Sequence, residues 1–245
     1  MTPFLAELLQ LKESADQSAL LHEIKQNCAT QCPIYRGTNA AGPIMKQPVR
    51  QDRVPLNSDP VFTVLFNKGI EMKYGIKNIR ARSAFATSYI KEASAYNNNV
   101  FCIFPQKNAQ IVYNRAISDS ADIIALIEQS LEEAGLIKAA YWHVSNNKNT
   151  HDTDGFIKQF VRHMTPKQKQ VFASWMENQL PEILTGYEMS TGSSMPADVG
   201  LDVEFMIVTD FLYGIHAKTA IEEVAGEDPS ADAYQCAVSI LNGAK

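Results

Sequence analysis

Three short segments carry side chains that chemistry can use. Ile34-Tyr35-Arg36-Gly37 ends an apolar stretch in an arginine followed by glycine. Phe85-Ala86-Thr87-Ser88 ends another in two hydroxyls. Asp202-Val203-Glu204-Phe205-Met206-Ile207-Val208 opens an apolar run with two carboxylates at i and i+2. That spacing predicts both carboxylates on one face of a strand. A planar guanidinium suits a pair of phosphates better than an ammonium group does. A carboxylate beside a sugar carbon stabilises the positive charge that develops as a glycosidic bond breaks. Stabilisation of that kind is worth about 3–4 kcal/mol per group. Hydroxyls at a strand end can orient the sugar or the carboxylate. Plainer readings stand beside these: a surface ion pair for Arg36, a strand end or helix cap for Thr87 and Ser88, an exposed turn for Asp202. Glu204 next to an apolar run costs energy if it is buried alone, and a cleft position avoids that cost.

The elements that must position these segments follow from periodicity and punctuation. Pro3 to Asn27 reads as helix, with a break near Ser14–Asp16. Cys32 to Arg36 reads as a short strand, and Gly37 to Asp59 as a long loop. Asp59-Pro60 opens a helix that Gly75 stops. Ile79 to Ser88 reads as a strand, Ile90 to Tyr96 as a short helix with Ala93 and Tyr96 inward, and Val100 to Phe104 as a buried strand. Ala109 to Tyr113 is another strand. Asp119 caps a helix through Leu136 whose stripe includes Ile123, Leu126, Ile127 and Leu131. Trp142 to Asp154 is a polar surface connection. Phe156 to His163 and Pro166 to Leu184 are helical, and Gly186 to Gly200 is a second long loop. Val203 to Val208 and Phe211 to Ile215 are strands, and Ser230 to Leu241 is a closing helix. Strands are few and helices cluster, which predicts α+β architecture over a doubly wound sheet.

The chain has 245 residues, a net charge of −5, 45% hydrophobic and 20% charged residues. That is globular composition, and a chain of this length buries a core without staples. The acidic balance argues against general phosphate-backbone binding. No apolar run approaches the length that spans a bilayer. Met1–Lys12 shows no basic region and no small-residue cleavage site, so no secretory leader is expected. Cys28, Cys32, Cys102 and Cys236 lack zinc spacing, and the histidines form no ligand pattern. No metal and reduced cytoplasmic thiols are expected. No Rossmann, P-loop, H-E-x-x-H or G-x-S-x-G motif occurs.

In order and neighbourhood, the three segments resemble the arginine–serine–glutamate branch of the ADP-ribosyltransferase superfamily. The likeness runs over roughly Ile34 to Ile215 and is closest to ADP-ribosyltransferase-like proteins of tailed bacteriophages. Asp52-Arg53-Val54-Pro55 and Phe104-Pro105 add to it. Ala86 stands where that family has the first serine of Ser-Thr-Ser, and Asp202 where it has Glu or Gln. The resemblance implies two small sheets around an NAD cleft. Residues 1–30 would be an N-terminal helical cap and 31–245 a catalytic domain with a helical insertion at about 119–185. Glu204 would be the catalytic carboxylate and Asp202 would face the acceptor. Arg36 and Gly37 would hold NAD, Thr87 and Ser88 would shape the nicotinamide–ribose site, and Tyr89 or Phe101 would sandwich the nicotinamide. Arg53 is a further phosphate candidate and Glu188 a rival carboxylate. The implied activity is glycosyl transfer of ADP-ribose from NAD to a host protein or nucleic acid, away from membranes, in the cytoplasm of an infected bacterium. The alternatives are an NAD glycohydrolase, or an inactive relative that acts as a binding or virion-associated protein.

Overall fold

A computed structural model describes residues 3–52, 59–138, 152–200, 202–225 and 231–243. The first helix, α1 (Pro3–Asn27), runs unbroken through Ser14–Asp16. Ser and Asp cost only a few tenths of a kcal/mol inside a helix, too little to stop one this long. β1 (Tyr35–Gly37) follows, and then β2 (Ile44–Pro48), inside the segment expected to be loop. β2 is an edge strand with only Met45 buried, so it shows no apolar alternation to read. α2 (Pro60–Tyr74) begins as expected: the Asp59 carboxylate accepts from Val61 N at 2.9 Å, and Gly75 ends the helix at φ 73°. Only glycine takes that left-handed turn without strain.

Ile79–Arg82 forms a short helix, α3, where a strand was expected, and the strand β3 is Ala84–Thr87. Tertiary anchors decide this. Arg80 N donates to Asn67 Oδ1 at 3.1 Å, and the buried Arg80 guanidinium bonds Ser120 Oγ. α4 (Ile90–Tyr96) buries Ala93, but Tyr96 is 76% exposed rather than turned inward. β4 (Val100–Phe104) is wholly buried, and β5 (Gln110–Asn114) follows. α5 (Ser120–Glu133) is capped by Asp119, and its buried stripe includes Ile124 while Leu126 is exposed. α6 (Thr153–Arg162) and α7 (Pro166–Ser174) come next, the latter opened by a Thr165–Gln168 capping box. A π-turn at Trp175–Gln179 joins α7 to α8 (Leu180–Ile183). Pro181 lacks an N–H and would crowd the carbonyl one turn back; the widened turn absorbs it. Trp175 is buried against Phe172. Arg53 and most of Trp142–Asp154 lie outside the described residues.

β6 (Tyr187–Thr191) lies in the second expected loop. β7 (Glu204–Val208) and β8 (Phe211–His216) match expectation, α9 (Ala217–Ala225) is an additional helix, and α10 (Ala233–Asn242) closes the chain. The molecule is α+β. Among the described residues the strands form one eight-stranded sheet, in the order β2-β8-β4-β1-β3-β7-β5-β6. The five pairings β1–β3, β1–β4, β2–β8, β3–β7 and β4–β8 are antiparallel. The chain divides into two units: Met1–Val49 with Ala84–Ile111 and Ser190–Lys245, and Arg50–Ser83 with Val112–Met189. α1 belongs to the first, and Pro60–Arg82 shares the second with the helices between β5 and β6. In the first unit, Tyr35, Cys102, Phe104, Tyr213 and Ile215 pack against α4, α9, α10 and the end of α1. All four cysteines are free and buried, and burial pushes the Cys28 thiol up to about 12. No described helix is long and apolar enough to cross a membrane.

Candidate functional site

The three chemical segments converge in the first unit. β1, β3 and β7 are adjacent, and the register aligns Tyr35 with Thr87 and Thr87 with Glu204. Directly opposed residues share a face of the sheet, and their Cα atoms stand about 5 Å apart. The row therefore spans about 10 Å from Tyr35 to Glu204. Its inner part, Ile215–Cys102–Tyr35, is buried apolar core, whereas Thr87 and Glu204 are half-buried. Polarity thus rises along one row towards Glu204.

The sheet is pinched in the middle of this row. β1 shares three register pairs with β4, and β3 shares four with β7, but β1 and β3 share only Tyr35–Thr87. Past that pair the strands lose their ladder, and a side chain bridges the gap: Arg36 Nη1 donates to the Phe85 carbonyl. The pleat sets Arg36 opposite to Tyr35, in a second row with Phe101 and His216. Arg36 therefore leaves the sheet on the face away from Thr87 and Glu204. Its observed bond joins strand to strand. Phe101 is fully buried with its ring edge-on to His216 at 5.2 Å, so it cannot sandwich a ligand. Burial lowers the pKa of His216, and its Nδ1 accepts from Thr219 N at 3.4 Å. Sequence patterning gives no sign of His216, because only cross-strand register puts it in line with Arg36.

Gly37 lies under α4. A Cβ there would meet the Ala93 carbonyl and stand 2.7 Å from Asn97 N, so the glycine admits the backbone of α4 onto β1. Thr87 Oγ1 accepts from Tyr89 N at 3.1 Å, which turns the chain from β3 into α4. Ser88 N donates to Val203 O at 2.9 Å, and Val203 N donates to Ser88 Oγ at 2.8 Å. Tyr89 is the half-buried cap residue of α4.

No family model, curated protein or solved structure matches this chain. Geometry alone carries the assignment of the remaining carboxylates. Asp202 is exposed, outside β7, with φ 63°. Strand alternation stops at Glu204, so the two carboxylates do not share a strand face as the spacing predicted. Asp is among the few non-glycine residues that adopt this left-handed conformation. Glu188 lies in the second unit, where Tyr113 Oη donates to it at 2.9 Å and Arg115 Nε pairs with it at 3.1 Å. Two cavities, of about 410 and 290 Å³, are lined by other residues, around Trp175 and around Cys28.

Proposed function

We infer that the protein cleaves the nicotinamide–ribose bond of NAD and transfers the ADP-ribose to a host macromolecule. The observation that carries this reading is the single-pair pinch between β1 and β3, with Glu204 on the next strand. Residues 49 positions apart at Arg36 and Phe85, and 115 apart at Ser88 and Val203, come together there. In this reading β2-β8-β4-β1 and β3-β7-β5-β6 act as the two small sheets of an ADP-ribosyltransferase fold, and the notch beyond Tyr35–Thr87 takes NAD.

The chemistry follows from the groups present. As the bond from ribose C1′ to the nicotinamide nitrogen breaks, its electron pair leaves with the nicotinamide and positive charge builds on the sugar. The Glu204 carboxylate hydrogen-bonds a ribose hydroxyl and stabilises that charge. Thr87, opposite Glu204, borders the sugar. Arg36 holds β3 at the notch. An acceptor nucleophile then bonds to C1′ and gives up its proton, with Asp202 on the acceptor side. A second reading, hydrolysis with water as acceptor, is favoured by one feature: Asp202 does not share Glu204's strand face.

Incubation with adenine-labelled NAD in bacterial lysate, followed by mass spectrometry of labelled species, separates the readings. Transfer predicts label on a macromolecule. Hydrolysis predicts nicotinamide and free ADP-ribose in equal amounts and no label on macromolecules. Absence of nicotinamide release would reject both and leave the binding-protein alternative.

A further inference from the structure

The last turn of α2 holds a cation against main-chain oxygen. Lys73 Nζ donates to the carbonyls of Leu184, Thr185 and Tyr187 at 2.9, 3.0 and 2.8 Å. An ammonium group has three protons, so all three are used. The partners lie 111 to 114 residues further along the chain, within the same unit. There the helical run from α7 through α8 stops, with Leu184 as its cap residue, and β6 begins. Carbonyls at such an end have no partner inside the helix and carry its negative pole.

Other bonds fix these oxygens. Leu184 O also accepts from Tyr187 N at 3.1 Å, and Tyr187 O accepts from the Tyr74 hydroxyl. Lys73 Nζ lies over the Tyr74 ring, 5.3 Å from its centroid. Burial draws the Lys73 pKa below its ordinary value, and the Glu188 carboxylate opposes that shift. The ammonium has thus exchanged water for protein oxygen. Carbonyl oxygens replace the hydration shell of a potassium ion in the same way. Oxygens at 2.8 to 3.0 Å suit potassium and free ammonium, which are nearly equal in size. Lys73 is an exposed residue, so an ion can enter once its side chain is removed.

We propose that the carbonyls of Leu184, Thr185 and Tyr187 form a monovalent-cation site that Lys73 fills from within the chain, and that the site takes ammonium or potassium once Lys73 is replaced by a small residue. The inference is independent of NAD cleavage. Thermal unfolding of the full chain tests it, with wild type, Lys73→Ala and Lys73→Met in ammonium, potassium and choline chloride at equal ionic strength. Lys73→Ala opens the site, whereas Lys73→Met fills the same space without charge. An ion at about five times its Kd raises Tm by about 2–4 °C in a chain of this size. That rise over choline is expected for Lys73→Ala in ammonium or potassium, and not for wild type or Lys73→Met. The same Tm for Lys73→Ala in all three salts, or an equal rise in wild type or Lys73→Met, would overturn the proposal. If Lys73→Ala folds in none of them, the side-chain ammonium protons of wild type decide by NMR. Slow exchange at Lys73 is the expected result, and exchange as fast as at the other lysines would overturn the proposal.

Discussion

Arg36 illustrates what residue type and spacing can and cannot reveal. Its place at the end of an apolar segment, followed by Gly37, marks it in the sequence, and it lies on β1 between β3 and β4. Its direction is not legible, because the face a strand residue takes depends on register with strands far away in the chain. The same limit applies to Asp202: the i, i+2 rule holds only within a strand, and β7 starts at Glu204. Arg36→Ala removes the bridge to the Phe85 carbonyl and frees β3 at the notch. A hydrogen bond to a charged group contributes about 1.5–3 kcal/mol, so roughly a 10- to 100-fold effect is expected. It should appear mainly in kcat, with the calorimetric Kd for NAD little changed. A Kd raised by that factor at unchanged kcat would instead make Arg36 a phosphate ligand.

Elements with strong local signals match the sequence reading. Asp59-Pro60 with Gly75, Asp119 and the Thr165-Pro166 start all have capping chemistry that is complete within a few residues. Elements held by distant partners escaped it. β2 takes its shape from pairing with β8, and α3 from the bonds of Arg80 to Asn67 and Ser120. The packing of α4 on β1 is of the second kind, since nothing near Gly37 in sequence announces that a helix backbone will rest on it. Gly37→Ala forces a Cβ against the Ala93 carbonyl and Asn97, atoms that no rotamer change can move. The expected cost is about 1–3 kcal/mol, as for other overpacked sites. Urea unfolding measures it. A midpoint equal to wild type would show that α4 does not lie this close.

At the scale of the molecule, the first helix is tied to the sheet by polar bonds as well as by its apolar end. Glu23 of α1 accepts from Lys46 Nζ of β2 and Tyr213 Oη of β8, each at 2.7 Å. These bonds, that from Lys46 first, hold the Glu23 carboxyl below the usual carboxylate range. A lowered carboxylate pKa adds stability above its unfolded value, and that stability is lost as pH falls through the folded value. Glu23→Gln should therefore lower Tm slightly at pH 7, and the gap should close as the pH falls below the usual carboxylate range. A gap that stays constant over that range would mean the charge of Glu23 is not what ties α1. α+β architecture was legible from the clustering of helices, although β2 and β6 escaped the reading. The single sheet with a pinch was not, because it depends on the order β4-β1-β3-β7, which no local pattern encodes. That pinch, with Glu204 beside it, is where NAD cleavage is proposed. Its most direct test is nicotinamide release from NAD by wild type and by folded Glu204→Gln. Release by wild type and a loss of about 100-fold or more in the variant are expected, the scale of one electrostatic contact to a transition state. Equal release by the two proteins, or none by wild type, would contradict it.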